Sequence, residues 1–193
     1  MKQKIGGILM KNPKALLIID YTNDFVDTSG ALTTGKPGQK IEPEILKLAN
    51  TFLKNGDYVI FPTDLHKEND PFHPETKLFP PHNLKNTWGH ELYDQVQIWF
   101  NNHQTDEHVY YFDKNRYSAF VNTNLDNFLR THKICSLTLT GVCTDICVLH
   151  TAISAYNLNY QLTIPQNAVA SFDQNGHTWA LTHFKNSLGA QVI

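Results

Sequence analysis

The 193-residue sequence predicts a single α/β domain of three layers, in which a mainly parallel sheet lies between two layers of helices. Short apolar runs alternate with helical patterns along the chain. The runs are continuously apolar, which is typical of strands buried on both faces. No linker, internal repeat or low-complexity segment divides the chain, and its length suits one domain with a substantial core.

Each element follows from a local pattern. A long segment at 65–89 has no period and is rich in His, Pro and Asn, and we expect it to be functional because it holds aromatics and potential metal ligands. Strands are predicted at 15–19, 58–62, 108–112, 136–140 and 161–164, with a last one at 191–193. Helices are predicted at 42–54, 91–101, 123–131, 145–156 and 177–186.

The composition excludes several classes of protein. A hydrophobic content of 41% argues against disorder, and a net charge of −2 favours neither nucleic acid nor an anionic membrane as a partner. Three Cys without a framework spacing indicate free thiols in a reducing compartment. The apolar stretch 5–10 is short and holds two Gly, so it fails as a signal peptide or spanning helix. We therefore expect a soluble, cytoplasmic protein.

Reactive side chains follow four of the predicted strands at their carboxyl ends. Ligands of open parallel sheets bind at this edge, so these side chains are expected to form one catalytic centre. Asp20 follows the first strand, Asp64 and His66 the second, Asp113 and Lys114 the third, and Cys143 and Cys147 the fourth.

The fourth strand leads into a strand-to-helix turn that carries two thiols. Thr144 is the predicted cap, and Cys147 falls in the first helical turn, where the helix dipole and the Lys114 ammonium would lower the thiol pKa. Asp20 could accept the thiol proton and return it to a leaving amine. Backbone N–H groups around Cys143 and Cys147 could stabilise the oxyanion. Cys143 lies before the cap and stays a competing nucleophile.

Each of these residues also has an ordinary interpretation. Cys147 could pack in a buried helix, Asp20 could cap a turn, and Lys114 could be a surface charge. Cys135 begins an apolar strand and is expected in the core. The histidines outside the long loop are expected to have no ligand role, namely His103, His108, His132, His150, His177 and His183.

Residues 64–90 contain a candidate metal site. Asp64-x-His66 is followed by Glu75 and His82, and mixed carboxylate and imidazole ligands suit Zn²⁺, Mn²⁺ or Fe²⁺ in catalytic sites. His73 and His90 are further candidates, so spacing alone does not choose the set. The alternative is a solvated loop with scattered histidines.

Five ordered motifs resemble one family. The chain from Ala15 to about Ile193 is similar to the nicotinamidase/pyrazinamidase group of the isochorismatase-like cysteine hydrolases. The motifs are DYTNDF at 20–25, TDLH at 63–66, PPH at 80–82, DKNRYSAF at 113–120 and GVCTDICV at 141–148. The resemblance implies the isochorismatase-like hydrolase fold over residues 1–193, with a metal-binding loop at 64–90.

The resemblance also implies the roles of individual residues. The catalytic triad would be Asp20, Lys114 and Cys147, which decides between the two thiols. Cys143 would follow a cis peptide bond, and its amide would form the oxyanion hole with that of Cys147. The implied metal ligands are Asp64, His66 and His82, with Glu75 preferred to His73 as the fourth, and the implied pocket aromatics are Phe25, Phe79 and Tyr117.

The activity implied is that of a metal-dependent nicotinamidase in NAD salvage, with Zn²⁺ as the expected metal and Mn²⁺ or Fe²⁺ as alternatives. It would hydrolyse nicotinamide to nicotinate and ammonia through a thioester at Cys147, and would accept pyrazinamide. We expect a homo-oligomer with a small-molecule amide as its partner. The sequence departs from the family at Thr22, where Gln is usual, and at 87–90.

Three other functions are considered. A related cysteine amidase acting on a carbamoyl or ureido substrate would share the triad but would generally lack the metal loop. An isochorismatase would not need the nucleophilic Cys. A non-catalytic metal-binding or thiol redox module would leave Asp20 and Lys114 unexplained.

Overall fold

The computed structural model describes residues 12–193 and two short strands before them, β1 (Lys4–Ile5) and β2 (Ile8–Leu9). These two strands pair antiparallel. The stretch 5–10, which the sequence predicts to be neither a signal peptide nor a membrane span, lies partly outside the described residues. Within the described part of the chain, no helix is long and apolar enough to cross a membrane.

Seven strands form the main sheet, and all of their pairings are parallel. The order across the sheet is β5-β4-β3-β6-β7-β9, and β8 pairs with the carboxyl half of β6. The six predicted strands are confirmed, whereas the two-residue β8 was not predicted. The strands are β3 (Ala15–Ile19), β4 (Tyr58–Asp64), β5 (Val109–Lys114), β6 (Ser136–Val142), β7 (Gln161–Ile164), β8 (Val169–Ala170) and β9 (Gln191–Val192).

Seven α-helices lie between the strands in the described part of the chain. The predicted helix at 91–101 begins later, because the Tyr93 N–H donates to the Tyr21 carbonyl and Leu92 forms a bridge with Thr22, which keeps the preceding residues extended. The helices are α1 (Asn23–Val26), α2 (Lys36–Lys40), α3 (Glu42–Lys54), α4 (Asp94–His103), α5 (Leu125–Thr131), α6 (Leu149–Asn157) and α7 (Gln174–Asn186).

Two cores cover the two faces of the sheet. Leu17 of β3 packs in one core with Leu129 of α5, and Leu16 packs in the other with Ile45 of α3. Neighbouring residues of β3 therefore face opposite layers, as expected for a strand buried on both sides. The predicted three-layer α/β fold is confirmed.

Parallel register brings the carboxyl ends of β3 to β6 together. Asp64 pairs with Lys114 across β4 and β5, and Ile19 pairs with Gly141 across β3 and β6. Gly141 has a φ of +102°, and a Cβ there would lie 2.1 Å from the Ile19 carbonyl oxygen. This position therefore requires glycine, which lets the end of β6 lie close against the end of β3.

The prediction that Cys135 lies in the core is wrong. This residue lies just before β6 and is exposed, with its Sγ 3.9 Å from the Lys133 carbonyl oxygen. The apolar run therefore predicts strand β6 correctly, but Cys135 precedes its first residue and is exposed to solvent.

Candidate functional site

A buried lysine joins the three residues predicted as the triad. Lys114 Nζ lies 2.8 Å from Asp20 Oδ2 and 3.8 Å from Cys147 Sγ, and it donates to the Arg116 carbonyl at 3.0 Å. Asp20, Lys114 and Cys147 are all buried. The register of the sheet has therefore brought an acid, a cation and a thiol from three strands into one water-poor site.

One carboxylate oxygen of Asp20, Oδ2, faces Lys114 in this site. Asp20 has a φ of +53°, a backbone conformation that Asp tolerates better than most residues. Its Oδ1 accepts from the Asp64 N–H at 2.8 Å, but Oδ2 accepts no hydrogen bond from the described residues beyond its ion pair with Lys114. Burial raises the pKa of Asp20 to about 6, with the Lys114 ammonium opposing the increase.

The turn that carries Cys147 is a wide, π-helical one. It covers Thr144–Val148, and the Cys143 carbonyl accepts from both Ile146 and Val148 N–H at 3.1 Å. The prediction that Thr144 caps the helix is wrong. Its hydroxyl instead forms a hydrogen bond with His177 Nδ1 at 2.8 Å, and no side chain caps this turn.

The resting state of the thiol also differs from the expectation. Burial raises the pKa of Cys147 well above its usual value, and this outweighs the lowering effect of the Lys114 ammonium. The sequence could not predict the change because it does not give the depth of burial. The resting thiol is therefore protonated, and it needs a base.

Cys143 lies in a different environment. The Val142–Cys143 peptide bond is cis, as predicted. Burial, followed by the charge of Asp145, raises the pKa of Cys143 to about 12. Cys147 Sγ lies 3.8 Å from Lys114 Nζ, and this contact favours Cys147 as the nucleophile. The oxyanion role of the Cys143 and Cys147 amides stays a prediction.

Four potential metal ligands converge beside the triad. One ligand atom from each of Asp64, His66, Glu75 and His82 lies within 4.8 Å of the other three. Asp64 Oδ2 lies 2.5 Å from His66 Nε2 and 3.6 Å from His82 Nε2, while its Oδ1 lies 3.5 Å from Lys114 Nζ. Asp64 thus connects the ligand group to the lysine.

The donor set fits a divalent cation. His82 Nδ1 donates to the Pro80 carbonyl at 2.8 Å, so the lone pair of the ring lies on Nε2. This buried Nε2 atom has no hydrogen-bond partner among the described residues, which leaves its lone pair available to a metal ion. Burial and then the Asp64 charge raise the pKa of Glu75, because the two carboxylates lie close together in a buried site. A metal ion would compensate both.

The two remaining histidine candidates are engaged elsewhere. His73 Nε2 donates to the Asn115 carbonyl at 2.8 Å, and its Nδ1 accepts from the Glu75 N–H at 3.3 Å. His90 Nε2 lies 3.2 Å from Asp113 Oδ1. His73 therefore holds Glu75 in place rather than replacing it, and the geometry favours Glu75 as the fourth ligand.

Aromatic side chains surround the ligand group. The rings of Phe25 and Phe79 lie 5.3 Å and 6.2 Å from that of His82, and Phe79 lines a cavity of about 140 Å³ with His66 and Glu75. Burial, followed by the charge of Glu75 and then the nearby Cys147 sulfur, raises the pKa of Tyr117 to about 12. The three predicted pocket aromatics thus lie around the ligand group and the thiol.

Comparison with known proteins decides the family. The profile of the family described as "Isochorismatase domain" matches residues 14–193. The chain belongs to the isochorismatase domain family. The curated relative "Uncharacterized isochorismatase family protein PncA" of Bacillus subtilis is 54% identical over 179 residues, which cover 93% of this chain and 98% of that one.

Solved structures of family members share the fold. A nicotinamidase/pyrazinamidase PncA from Bacillus subtilis has a TM-score of 0.91 at 55% identity, covering 93% of this chain and 98% of that one. A pyrazinamidase/nicotinamidase from Streptococcus mutans has a TM-score of 0.91 at 52% identity, covering 93% and 99%. The Pyrococcus horikoshii pyrazinamidase, solved in complex with zinc, has a TM-score of 0.81 at 26% identity, covering 93% and 98%.

Some residues of this isochorismatase-family site were not predicted. Thr22, which departs from the usual Gln, donates to Asn83 Oδ1 at 2.8 Å, and Asp24 Oδ2 accepts from the Asn83 N–H at 2.7 Å. Asp24 belongs to the quoted opening motif and could have been noticed there. Asn83 gave no signal beyond its position directly after His82.

Proposed function

We propose that this protein is a metal-dependent nicotinamidase, which hydrolyses nicotinamide to nicotinate and ammonia through a thioester at Cys147. One observation carries the proposal. Lys114 Nζ lies within 3.8 Å of Asp20, Cys147 and Asp64, so an amidase-type triad and a metal-ligand group share one buried centre. The names of the Bacillus and Streptococcus neighbours support the same substrate.

Acylation begins with the protonated thiol. Asp20 Oδ2 takes the Cys147 proton, and the Lys114 ammonium stabilises the thiolate that forms. The sulfur then bonds to the amide carbon, and the Cys143 and Cys147 N–H groups stabilise the oxyanion. The C–N bond breaks as Asp20 returns its proton to nitrogen, which leaves ammonia and a nicotinoyl thioester.

Deacylation uses the same residues. Asp20 takes a proton from a water molecule, whose oxygen bonds to the thioester carbon through a second oxyanion. The C–S bond then breaks and the proton returns to Cys147, which releases nicotinate. One carboxylate therefore acts in turn as base and acid, which requires a group that changes protonation readily in a buried site.

Asp64, His66, Glu75 and His82 would hold the metal, with Zn²⁺ as our first choice and Mn²⁺ or Fe²⁺ as alternatives. When bound, the metal would supply a Lewis-acid anchor for the ring nitrogen of the substrate. Phe25, Phe79 and Tyr117 would enclose the flat ring. Together these contacts fix the distance between the ring and Cys147.

A panel of amides tests the substrate. We expect ammonia release from nicotinamide and pyrazinamide, and slower release from benzamide, which has the same ring shape but no ring nitrogen. Preference for a carbamoyl or ureido amide would replace the proposal with the related cysteine amidase. No ammonia from any amide would favour the non-catalytic module and contradict the proposal.

Metal analysis of the same sample tests the ligand group. Elemental analysis is expected to find about one divalent ion per chain, and removal by a chelator should abolish most activity until Zn²⁺, Mn²⁺ or Fe²⁺ is restored. Full activity in a sample shown to be free of metal would contradict the metal assignment while leaving the triad intact.

We also propose that the protein acts in the cytoplasm as a homo-oligomer. Three free thiols support a reducing compartment. Exposed apolar side chains on the long loop, Phe72 and Leu78, support a contact between copies. Light scattering after size exclusion should give a mass above 22.0 kDa, and a monomer at micromolar concentration would contradict this assembly.

A further inference from the structure

We infer that Asn83 is a positioning residue that holds the two histidine ligands, His66 and His82, in the arrangement the metal needs. The inference rests on the metal site of the proposed function. Asn83 is fully buried and lies directly after His82 in the chain. Asn83 is not one of the four converging ligand candidates, Asp64, His66, Glu75 and His82, so we assign its effect to its contacts with them.

The backbone of Asn83 joins the two histidines. Its carbonyl accepts from the His66 N–H at 3.0 Å, and the adjacent residue Leu84 forms a parallel bridge with His66. The sequence separates His66 from His82 by a long loop, so this contact fixes the distance between the two backbones. Asn83 has a φ of +44°, a conformation that Asn adopts more readily than most residues.

The opening motif holds Asn83 from the other side. Its N–H donates to Asp24 Oδ2 at 2.7 Å, and its Oδ1 accepts from the Thr22 hydroxyl at 2.8 Å. The Asp24 carboxylate is itself fixed, because its Oδ1 accepts from the Ala31 N–H at 3.0 Å and a Cβ at Gly89 would lie 2.1 Å from its Oδ2. Asn83 is therefore tied to a rigid anchor.

The remaining atom of the side chain gives a second indication. Asn83 Nδ2 is buried and has no hydrogen-bond partner among the described residues. A buried amide that leaves one end unpaired is costly, so a purely structural position would tolerate a smaller residue well. The place of Asn83 beside the ligands agrees with a role in ordering them, since the partners of metal ligands set metal affinity.

Three variants distinguish the contributions of the Asn83 side chain, of its backbone conformation and of its hydrogen bond to Thr22. Asn83→Gly keeps the positive φ and removes the amide, Asn83→Ala also disfavours the backbone conformation, and Thr22→Val removes only the hydroxyl bond. Asn86→Ala is the matched control, because Asn86 lies in the same loop with a φ of +61° but is exposed. Apparent Zn²⁺ affinity is measured by competition with a chromophoric chelator, beside kcat, KM and thermal unfolding.

The Asn83 variants should bind Zn²⁺ about ten- to a hundred-fold more weakly than the wild type, with the loss greater for Ala than for Gly. Saturating Zn²⁺ should restore most of kcat, which a simply unfolded variant would not allow. Asn86→Ala should keep wild-type affinity. If Asn83→Ala fails to fold, Asn83→Gly and Thr22→Val decide the question.

Two results would overturn the inference, and they are distinguishable. Wild-type Zn²⁺ affinity in both Asn83→Gly and Thr22→Val would show that Asn83 does not order the ligands, although the metal site exists. A wild-type protein that binds no Zn²⁺, Mn²⁺ or Fe²⁺ would remove the metal site itself, and this inference with it.

Discussion

Lys114 has a side chain with no exposure to solvent, and it contacts two carboxylates and a thiol. Burial alone would lower the pKa of a lysine, but the negative charges beside it, that of Asp20 first and also that of Asp64, outweigh it and raise the pKa of Lys114. The lysine therefore stays charged. Its cation allows Asp20 and Asp64 to be ionised side by side in a buried site.

We predict that Lys114→Met lowers kcat/KM for nicotinamide by about 10²-fold or more, since thiolate stabilisation is lost. The variant should also lose about 3–5 kcal/mol of unfolding free energy, because two buried carboxylates lose their partner. Lys47→Met is the control, with a side chain 72% exposed, and should change stability by less than about 0.5 kcal/mol. Urea unfolding and steady-state kinetics measure both effects, and wild-type kinetics in Lys114→Met would contradict the role of the lysine.

At the residue scale, the sequence predicts which residues meet in the site better than it predicts their burial and contacts. Asp20, Lys114 and Cys147 meet as expected, because parallel register and strand ends can be read from the pattern. The raised pKa of Cys147 could not be predicted, since it depends on burial by distant parts of the chain. The contacts of Asn83 depend on loop geometry, for which the sequence offers no period.

At the scale of elements, prediction succeeds where a segment is long or buried on both faces. Strands β3 and β7 and helix α3 have the predicted bounds, whereas β4 and β6 extend two residues further at their carboxyl ends. The short helices α1 and α2 and the strand β8 were not predicted, because so few residues carry no detectable period and tertiary contacts hold them.

The close approach of β3 and β6 at Gly141 gives a prediction about these elements. Gly141→Ala should lower the unfolding free energy by more than about 2 kcal/mol, because the new methyl group would clash with the Ile19 carbonyl at an unfavourable φ.

Gly189→Ala is the matched control for this change. Gly189 also has a positive φ, of +62°, but its Cβ would meet nothing within 4 Å, so only the conformational cost of about 1–2 kcal/mol remains. Chemical unfolding of the two variants compares them, and equal losses would show that the strand contact does not limit this position.

At the scale of the whole molecule, the two cores hold four strand ends in register while the loop after β4 supplies three of the metal-ligand candidates. The layers could be predicted from alternating elements. The continuous apolar runs also predicted that the side chains of each strand would pack on both faces of the sheet. What the sequence could not give is the path of residues 65–89, because contacts with α1 and the strand ends determine it.

Ile45→Ala tests the core on the α3 side of the sheet. Ile45 is fully buried, so its truncation should cost about 2–5 kcal/mol of unfolding free energy without changing KM. The same substitution at Ile98, which is 51% exposed on α4, should cost less than about 0.5 kcal/mol. Similar losses at both positions in urea unfolding would contradict the assigned core.

The proposed nicotinamidase activity depends on Cys147 as the nucleophile that hydrolyses nicotinamide. The direct measurement is nicotinate formation by the wild type and by Cys147→Ala and Cys143→Ala, at matched metal content and with folding checked by thermal unfolding. We expect Cys147→Ala to lose activity by at least about 10³-fold. Cys143→Ala should keep substantial activity, because only its backbone is used. A Cys147→Ala variant that retains a sizeable fraction of wild-type turnover would contradict the nucleophilic role of Cys147.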